Sequence, residues 1–466
     1  MAEGDDLRAL LTRIFLEVAA RIDGQRLVAE AVVGPDDPAW ATATRVLVVG
    51  KVALPMWRGW RQSLPPGAPP RPTLLVAPAP LLVAATADVA GAPGLPPEVT
   101  VAPADHPHPS ARSVAAAEAA LRFVGAAGGG EGGGGADRLL VLLSGGASSL
   151  LCGPAPGLTW QDKRDAIAAV ARAGADIREL NLVRKHLSVV KGGGLGRATR
   201  APIAVRALSD VIGDDPATIG SGPFSPDPGT YEQARALVAR LGATLPAAVS
   251  AHLARGARGA LPETAKPGSG ELDHVDYRVL AGPARVVAEA RAAVTAAGAA
   301  AHSGADVLAF DAEDTVDERA AAVLAGLRQA MAARAPRIGI GNGEPRIWIG
   351  NGEPRVVLPA ASNAPRRGGR ATHLALLVAR GLATLDPDLR ARVAFLAAGT
   401  DDRDGNTEVS GAAVDGTTWA RAQAAGVDPE AALGAFDSLP ALAAAGATLR
   451  GPGTSNLLDL HLLAIR

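Results

Sequence analysis

Short, unbroken apolar runs alternate with longer stretches of helical spacing along the first half of this chain. Arg45–Val49, Thr73–Ala77, Leu139–Leu143 and Ile203–Leu208 are apolar at nearly every position. A strand buried on both faces carries that signature, whereas a strand with one wet face alternates. The segments near Ser113–Val124 and Gln161–Ala173 instead repeat their apolar residues at helical spacing. This rhythm predicts an α/β fold with a parallel sheet between two layers of helices. In such a sheet, ligands bind beyond the carboxyl ends of the strands. Gly50-Lys51, Ser144-Gly145-Gly146 and Ser209-Asp210 would stand there.

The flanking regions extend this pattern. Leu7, Leu10, Leu11, Ile14, Phe15 and Val18 predict an amphipathic helix, with Gly24 as its stop. The apolar stretch around Leu74–Ala90 contains Pro78 and Pro80, so it reads as a strand with its loop and not as a membrane span. The glycine-rich Gly125–Gly135 precedes a strand and reads as a surface linker. Proline, glycine and mixed charge gather over Arg255–Asp273, which places a domain boundary between Arg240 and Asp273. Two domains are expected, at 1–245 and 246–466. In the second, Tyr277–Ala281, Val356–Leu358, Val393–Ala398 and Leu460–Ile465 predict strands, and Arg285–Ala297 and Thr372–Ala383 predict helices. A nine-residue tandem repeat, Ile340–Trp348 followed by Ile349–Val357, reads as a local duplication that leaves one strand's register open.

Composition narrows the classes. A chain of 466 residues exceeds one ordinary core, and its formal net charge of −1 offers no general basic face for nucleic acid. The single cysteine, Cys152, excludes an intramolecular disulfide and follows an apolar run, as a buried structural thiol does. The acidic start Met1–Asp6 lacks the basic region of a signal peptide. A soluble, cytoplasmic protein is expected.

The candidate chemistry concentrates between Val141 and Thr230. Ser144-Gly145-Gly146-Ala147-Ser148-Ser149 links a strand to a helix, a turn that can offer backbone N–H groups to an anion or simply be tight. Lys191-Gly192-Gly193-Gly194 is a second such nest or else a helix cap, with Asn181, Arg184 and Lys185 just before it. Asp210 follows a strand, where one carboxylate plus phosphate oxygens suits Mg²⁺; Asp214 and Asp215 lie close by, equally suited to capping. Lys51 directly follows the run Val46–Val49 and would face the crevice. Arg366-Arg367-Gly368-Gly369-Arg370 could clamp a phosphate or carboxylate. Thr400–Asn406 fails the EF-hand spacing and reads as a polar loop, and His106-Pro107-His108-Pro109 lacks the partners of a zinc site. Neither a Walker motif, a GxGxxG fingerprint nor a G-x-S-x-G elbow accompanies these segments.

The ordered set Gly50-Lys51, His106–Pro109, Ser144–Ser149, Gly174–Asn181, Val183–Ser188, Lys191–Leu195, Leu208–Asp214, Ser221–Pro223, Thr400-Asp401, Asp404-Gly405 and Gly451–Asn456 resembles the glycerate 2-kinase family, whose C-terminal half is the MOFRL domain. An older name of that family is hydroxypyruvate reductase. The resemblance implies a Rossmann-like α/β/α domain and a second, mixed α/β domain, with the active site in the cleft between them. It implies transfer of the γ-phosphoryl group of ATP to the 2-hydroxyl of D-glycerate with Mg²⁺. The family's essential lysine falls on Lys51, and its essential arginine on Arg370 or Arg367. Lys51 and Arg370 would then stabilise the transferring group. Ser144, Gly145, Gly146, Ser148 and Lys191–Gly194 would cradle phosphates, Asn181 and Arg184 would bind substrate, Asp210 and Asp214 would hold metal, and Asp210 could instead act in catalysis by orienting the hydroxyl. The chain departs from the family where Ala371-Thr372-His373 replaces Asn-Gln-Glu and where Asp402 replaces a glycine; Glu353 of the second repeat copy is the counterpart of the family's Gly-Gly-Glu. The alternatives are an NAD(P)H-dependent hydroxypyruvate reductase and a non-catalytic sugar-acid-binding homologue. Glycerate and ATP are the expected partners, with neither nucleic acid nor membrane, and a homodimer is left open.

Overall fold

The computed structural model describes residues 6–33, 37–86, 94–127, 137–303, 308, 314–332, 345–358 and 366–466. These residues divide into two compact units, Gly24–Ala281 on one hand and Met1–Asp23 with Gly282–Arg466 on the other. The division differs from the expected boundary at residue 245. The strand β6 (Val275–Ala281) pairs with β5 (Ile203–Leu208) and so belongs to the first sheet. The helix Leu7–Arg21 belongs to the other unit, where Arg21 meets Glu289 at 3.3 Å. The first helix ends before Gly24, at Arg21 with Ile22 as its C-cap, and Gly24 instead opens the helix Gly24–Val33.

The sheet of the Gly24–Ala281 unit is built from β1 (Arg45–Val49), β2 (Thr73–Pro78), β3 (Val99–Ala104), β4 (Leu139–Leu143), β5 and β6. All its pairings are parallel, and the order is β3-β2-β1-β4-β5-β6. That is the doubly wound order, in which the chain reverses its direction of travel across the sheet between β1 and β4. Leu47, Val49, Val76, Val141, Leu143 and Val205 form the core with Ala117, Ala120 and Val124 of the helix Ala111–Gly125. Burial on both faces explains why these strands read as continuous apolar runs. The stretch expected as a loop after β2 is instead the helix Ala79–Thr86.

The second unit holds a mixed sheet of β7 (Ala300–Ser303), β8 (Arg346–Asn351), β9 (Val393–Gly399), β10 (Gly411–Asp415), β11 (Thr448–Leu449) and β12 (Asp459–Ile465). Its order is β11-β10-β9-β12-β8-β7; only β7 and β8 pair in parallel. The strand expected at Val356–Leu358 forms instead as β8, across the junction of the two repeat copies. Its Ile347, Trp348 and Ile349 are buried, whereas Val357 and Leu358 are exposed. Residues 340–344 of the first copy and 128–136 of the expected glycine linker lie outside the described residues. The helix Arg370–Ala383 covers this sheet, burying Leu374, Leu377, Val378 and Leu382 against Phe395, Ala397 and Leu463. No helix among the described residues is long and apolar enough to cross a membrane.

Candidate active site

The reversal point between β1 and β4 is where a crevice opens in a doubly wound sheet, and two of the expected segments meet there. The Lys51 amide donates to the Gly145 carbonyl at 2.9 Å. Ser144 is fully buried; its amide donates to Val49 O at 2.9 Å and its Oγ accepts from the Val52 amide at 3.2 Å. The Ser144 hydroxyl therefore braces β1 against β4 and does not face a ligand. Gly146 has φ 85° and leads into the short helix Ala147–Leu150. A Cβ at Gly146 would stand 3.0 Å from both Lys51 Cγ and His106 Cδ2, so only glycine admits both side chains against the turn. The amides of Ala147 and Ser148, in the first turn of that helix, have no intrahelical acceptor and can serve an anion.

Behind the turn runs a hydrogen-bonded network. Lys191 Nζ donates to the Ser148 carbonyl at 2.7 Å and lies 2.8 Å from Ser148 Oγ. Ser148 Oγ lies 2.9 Å from Ser221 Oγ, which in turn donates to Asn181 Oδ1 at 3.4 Å. Arg184 Nη1 donates to the same Asn181 oxygen at 3.2 Å. Asn181 and Arg184 share the helix Ile177–His186, three residues apart and thus on one face. Ser148, Asn181, Arg184 and Lys191 are therefore brought together, with Ser221 as an unforeseen member.

The glycines after Lys191 do not form the expected anion nest. The Gly192 amide donates to Ser221 O at 3.1 Å, the Gly193 amide to Gly222 O at 2.7 Å and the Gly194 amide to Lys191 O at 3.0 Å. Their small size serves packing: a Cβ on Gly194 would lie 2.1 Å from Val189 O. Lys191 contributes its ammonium, and the glycines let the chain fold tightly behind it.

A cavity of about 390 Å³ adjoins this network, lined by His106 to Pro109, Gly146, Ser148, Ser149, Cys152, Lys163, Arg164, Ile167, Ala168, Ala171, Arg184 and Lys191. Among the described residues, no carboxylate lines it. Lys163 and Lys191 are buried, and Arg184 is half-buried. Burial, reinforced by Lys163 and Arg184, holds the Lys191 ammonium well below its usual pKa. Burial pushes Lys163 down to about 8, against a small opposing effect of Cys152, and it also lowers Arg184. Burial, with Lys51 and His108, pushes His106 down to about 4, so its ring is neutral near pH 7. Cys152 is buried as expected, although it also borders the cavity.

Sequence reasoning missed Lys163. It lies on the buried stripe Lys163, Ala166 and Val170 of the helix Trp160–Arg172. A lysine at that phase of an amphipathic helix was the available signal. His106 and His108 belong to the cavity wall, a role apart from the zinc question raised by their motif.

Asp210 and Asp214 do not line this cavity; they lie on the turn after β5. Asp214 has φ 54°, uncommon for a residue with a side chain, and its Oδ1 is buried without a hydrogen-bond partner. Asp215 is a turn cap, accepting from the Ala217 amide at 3.1 Å and Thr218 Oγ1 at 2.6 Å. Among the described residues, no group of three or more His, Cys, Asp or Glu could enclose a metal ion. One or two carboxylates with ligand oxygens remain sufficient for Mg²⁺.

The arginine motif lies in the other unit. Arg370 opens the helix Arg370–Ala383; its Nε and Nη2 meet the Asp459 carboxylate at 2.7 and 3.0 Å, and Nη2 also pairs with Glu353. Burial alone would lower the pKa of this guanidinium, but Asp459, Glu353 and Asp401 together raise it. Asp404 is buried and accepts from the amides of Gly369, Ala371 and Thr372 at 3.0, 3.1 and 2.7 Å, holding the start of the helix. Burial raises the pKa of Asp404 despite these bonds. Arg367 instead makes an exposed, two-pronged pair with Asp437, at 3.1 and 3.0 Å. Asn406 accepts from the Gly368 amide at 3.2 Å and donates to Arg366 O at 2.8 Å, so the polar loop Thr400–Asn406 fixes the arginine motif.

Comparison with known proteins gives a family. Residues 10–254 match the family described as Domain of unknown function (DUF4147), and residues 346–459 match the MOFRL family. A protein of Agrobacterium vitis that carries the name hydroxypyruvate reductase is 36% identical over 68% of each chain. The glycerate 2-kinase of Pyrococcus horikoshii is 31% identical over 79% of this chain and 78% of its own. The crystal structure of glycerate kinase from Thermotoga maritima superposes with a TM-score of 0.76 at 27% identity, covering 99% of this chain and 100% of the other.

Proposed function

The chain belongs to the DUF4147–MOFRL family, and from that membership we propose that it is an ATP-dependent glycerate 2-kinase. The reaction would transfer the γ-phosphoryl group of ATP to the 2-hydroxyl of D-glycerate, giving 2-phosphoglycerate and ADP. One observation carries the reading. A cavity at the reversal point of the sheet is lined by Lys163, Arg184 and Lys191 and, among the described residues, by no carboxylate, beside a glycine turn against which Lys51 packs. Such a site is built for an anionic ligand.

In this reading the hydroxyl oxygen attacks the γ-phosphorus, and the bond from that phosphorus to the bridging oxygen of ADP breaks. The protein mainly positions the reactants and stabilises charge. Lys51, whose stem lies against Gly146, neutralises the transferring group from the end of β1. The Ala147 and Ser148 amides and the Lys191 ammonium bind phosphate oxygens. Arg184, steadied by Asn181, binds the substrate carboxylate. Asp210 orients the attacking hydroxyl. Mg²⁺, when bound, neutralises phosphate charge. Asp214, with its unpartnered Oδ1, and Asp210 are the carboxylates that would hold it. Arg370 is the second cation assigned to stabilising charge on the transferring group.

The test incubates the purified protein with D-glycerate and Mg-ATP, follows ADP release and identifies the product by ³¹P NMR. The expected product is 2-phosphoglycerate; absence of glycerate-dependent ADP release would sink the reading. A parallel incubation with hydroxypyruvate and NADH addresses the other name found among the relatives. No oxidation of NADH is expected, because neither the turn after β1 nor that after β4 carries the GxGxxG fingerprint.

A further inference from the structure

Lys163 is the one cavity cation whose ammonium is buried without any hydrogen-bond partner among the described residues. The other cations lining the cavity have partners. Lys191 is held by Ser148, Arg184 by Asn181, and Arg164 by Asp165 at the rim. The partners of the two inner cations, Lys191 and Arg184, are neutral groups, so the positive charge of the cavity is left without compensation. This chain treats buried cations otherwise elsewhere. Lys185 meets Asp227 at 3.1 Å, and the fully buried Arg206 meets Asp37 at 2.8 Å and Asp276 at 2.6 Å. An unpaired ammonium in a buried position is costly unless something pairs with it.

We propose that Lys163 is a phosphate-binding residue, and that it and Lys191 together receive the phosphate chain of a nucleoside triphosphate in this cavity, beside the carboxylate that Arg184 binds. The charge count selects the ligand class. Glycerate brings a single negative charge, which would leave most of the cluster uncompensated, whereas a triphosphate brings several. The apolar remainder of the lining, Pro107, Pro109, Ile167, Ala168 and Ala171, suits the uncharged part of a nucleotide. The lowered pKa of Lys163 agrees with this arrangement, because burial disfavours its charged form and no lining carboxylate among the described residues offsets that cost. The choice of a nucleotide as the source of the phosphates rests on the kinase reading; the choice of a polyphosphate group does not.

Calorimetric titrations of the full-length protein with inorganic tripolyphosphate, ATP and D-glycerate test the assignment. Wild type should bind tripolyphosphate, and ATP should compete with it. Lys163→Met should weaken both by roughly 10- to 100-fold, the range of a charge-assisted hydrogen bond. The same variant should leave D-glycerate affinity within about threefold, since one lost charged contact would shift it by more. Lys163→Arg, which keeps the charge, should recover most of the tripolyphosphate affinity. The proposal is overturned if wild type does not bind tripolyphosphate, if Lys163→Met binds it as well as wild type, if only D-glycerate binding falls, or if Lys163→Arg is as impaired as Lys163→Met. Chemical denaturation separates loss of contact from loss of fold, because Lys163→Met should be at least as stable as wild type. Glycerate-dependent ADP release is measured independently. If it is absent while Lys163→Met still loses tripolyphosphate, the kinase reading fails and the assignment of Lys163 stands.

Discussion

Two groups of buried cations in this protein are built on opposite principles. Around Arg370, the counter-charges are part of the chain: Asp459 is almost wholly buried and grips the guanidinium on two edges, and Glu353 closes on it as well. Around Lys163, Arg184 and Lys191 there is no lining carboxylate among the described residues. The first arrangement fixes an arginine whether or not a ligand is present. The second leaves positive potential to be satisfied by whatever enters. A buried charge that lacks an internal partner is retained where a ligand supplies one, so the absence of compensation is more informative about binding than the presence of a cation.

The sharpest break in this comparison falls on Lys51, which borders the uncompensated side. Lys51→Met should reduce kcat by 10²–10³-fold, about 3–4 kcal/mol of transition-state stabilisation. Steady-state rates with saturating D-glycerate and Mg-ATP measure it. The amide bond from residue 51 to Gly145 survives the substitution, so stability should barely move. A kcat within threefold of wild type would remove Lys51 from the chemistry.

Next in size is Arg370→Met, which strands Asp459 beside Glu353. Arg370 is half-buried and Asp459 buried, so losing the arginine leaves the carboxylate uncompensated and should destabilise the protein by about 2–3 kcal/mol, read by urea denaturation. Lys163→Met should have the opposite sign. If both variants shift stability in the same direction, the distinction between compensated and uncompensated cations fails.

The pH dependence of stability sharpens the same contrast with a smaller effect. The folded-state pKa of Lys163, about 8, lies below its ordinary value of 10.5. Below pH 8 the residue is protonated in both states and its burial penalty is fully present. Between pH 8 and 10.5 the unfolded chain binds more protons than the folded one, so stability rises with pH, by on the order of 2 kcal/mol from this residue. Lys191 shifts in the same direction and adds to the rise. Urea midpoints at pH 8 and 10 should therefore differ less in Lys163→Met than in wild type. An unchanged difference would show that Lys163 keeps an ordinary pKa.

The parallel sheet was legible in the sequence for a physical reason. Strands covered on both faces are apolar at nearly every position, and β1, β2, β4 and β5 are. The strand β8 was not, because a tandem repeat offers two equivalent runs and only packing chooses between them. The Lys191–Gly194 segment carries the composition of an anion nest. What decides its role is where its amides go, and their acceptors, Ser221 and Gly222, come from a distant part of the chain. Lys163 was hidden by the reverse difficulty: a lysine on a helix ordinarily means solvent. Its phase with Ala166 and Val170 could have revealed it, had the polar residue been weighed against the face it occupies.

The choice between Arg367 and Arg370 is the finest point at which sequence falls short, since both flank the same pair of glycines. Their partners separate them. Asp437 also accepts the Arg367 amide at 2.7 Å, so much of that contact persists when the side chain is removed. The Arg367 side chain is mostly exposed, and exposed pairs contribute little. Arg367→Ala should change kcat by less than about fivefold, with the residual effect weakening as salt rises. Rates at low and high ionic strength measure both features. A kcat loss of about 10²-fold or more, insensitive to salt, would transfer the role to Arg367. It would also show that an exposed arginine held by one carboxylate can be the reactive member of the pair, and that strong internal compensation marks the arginine that merely holds the fold.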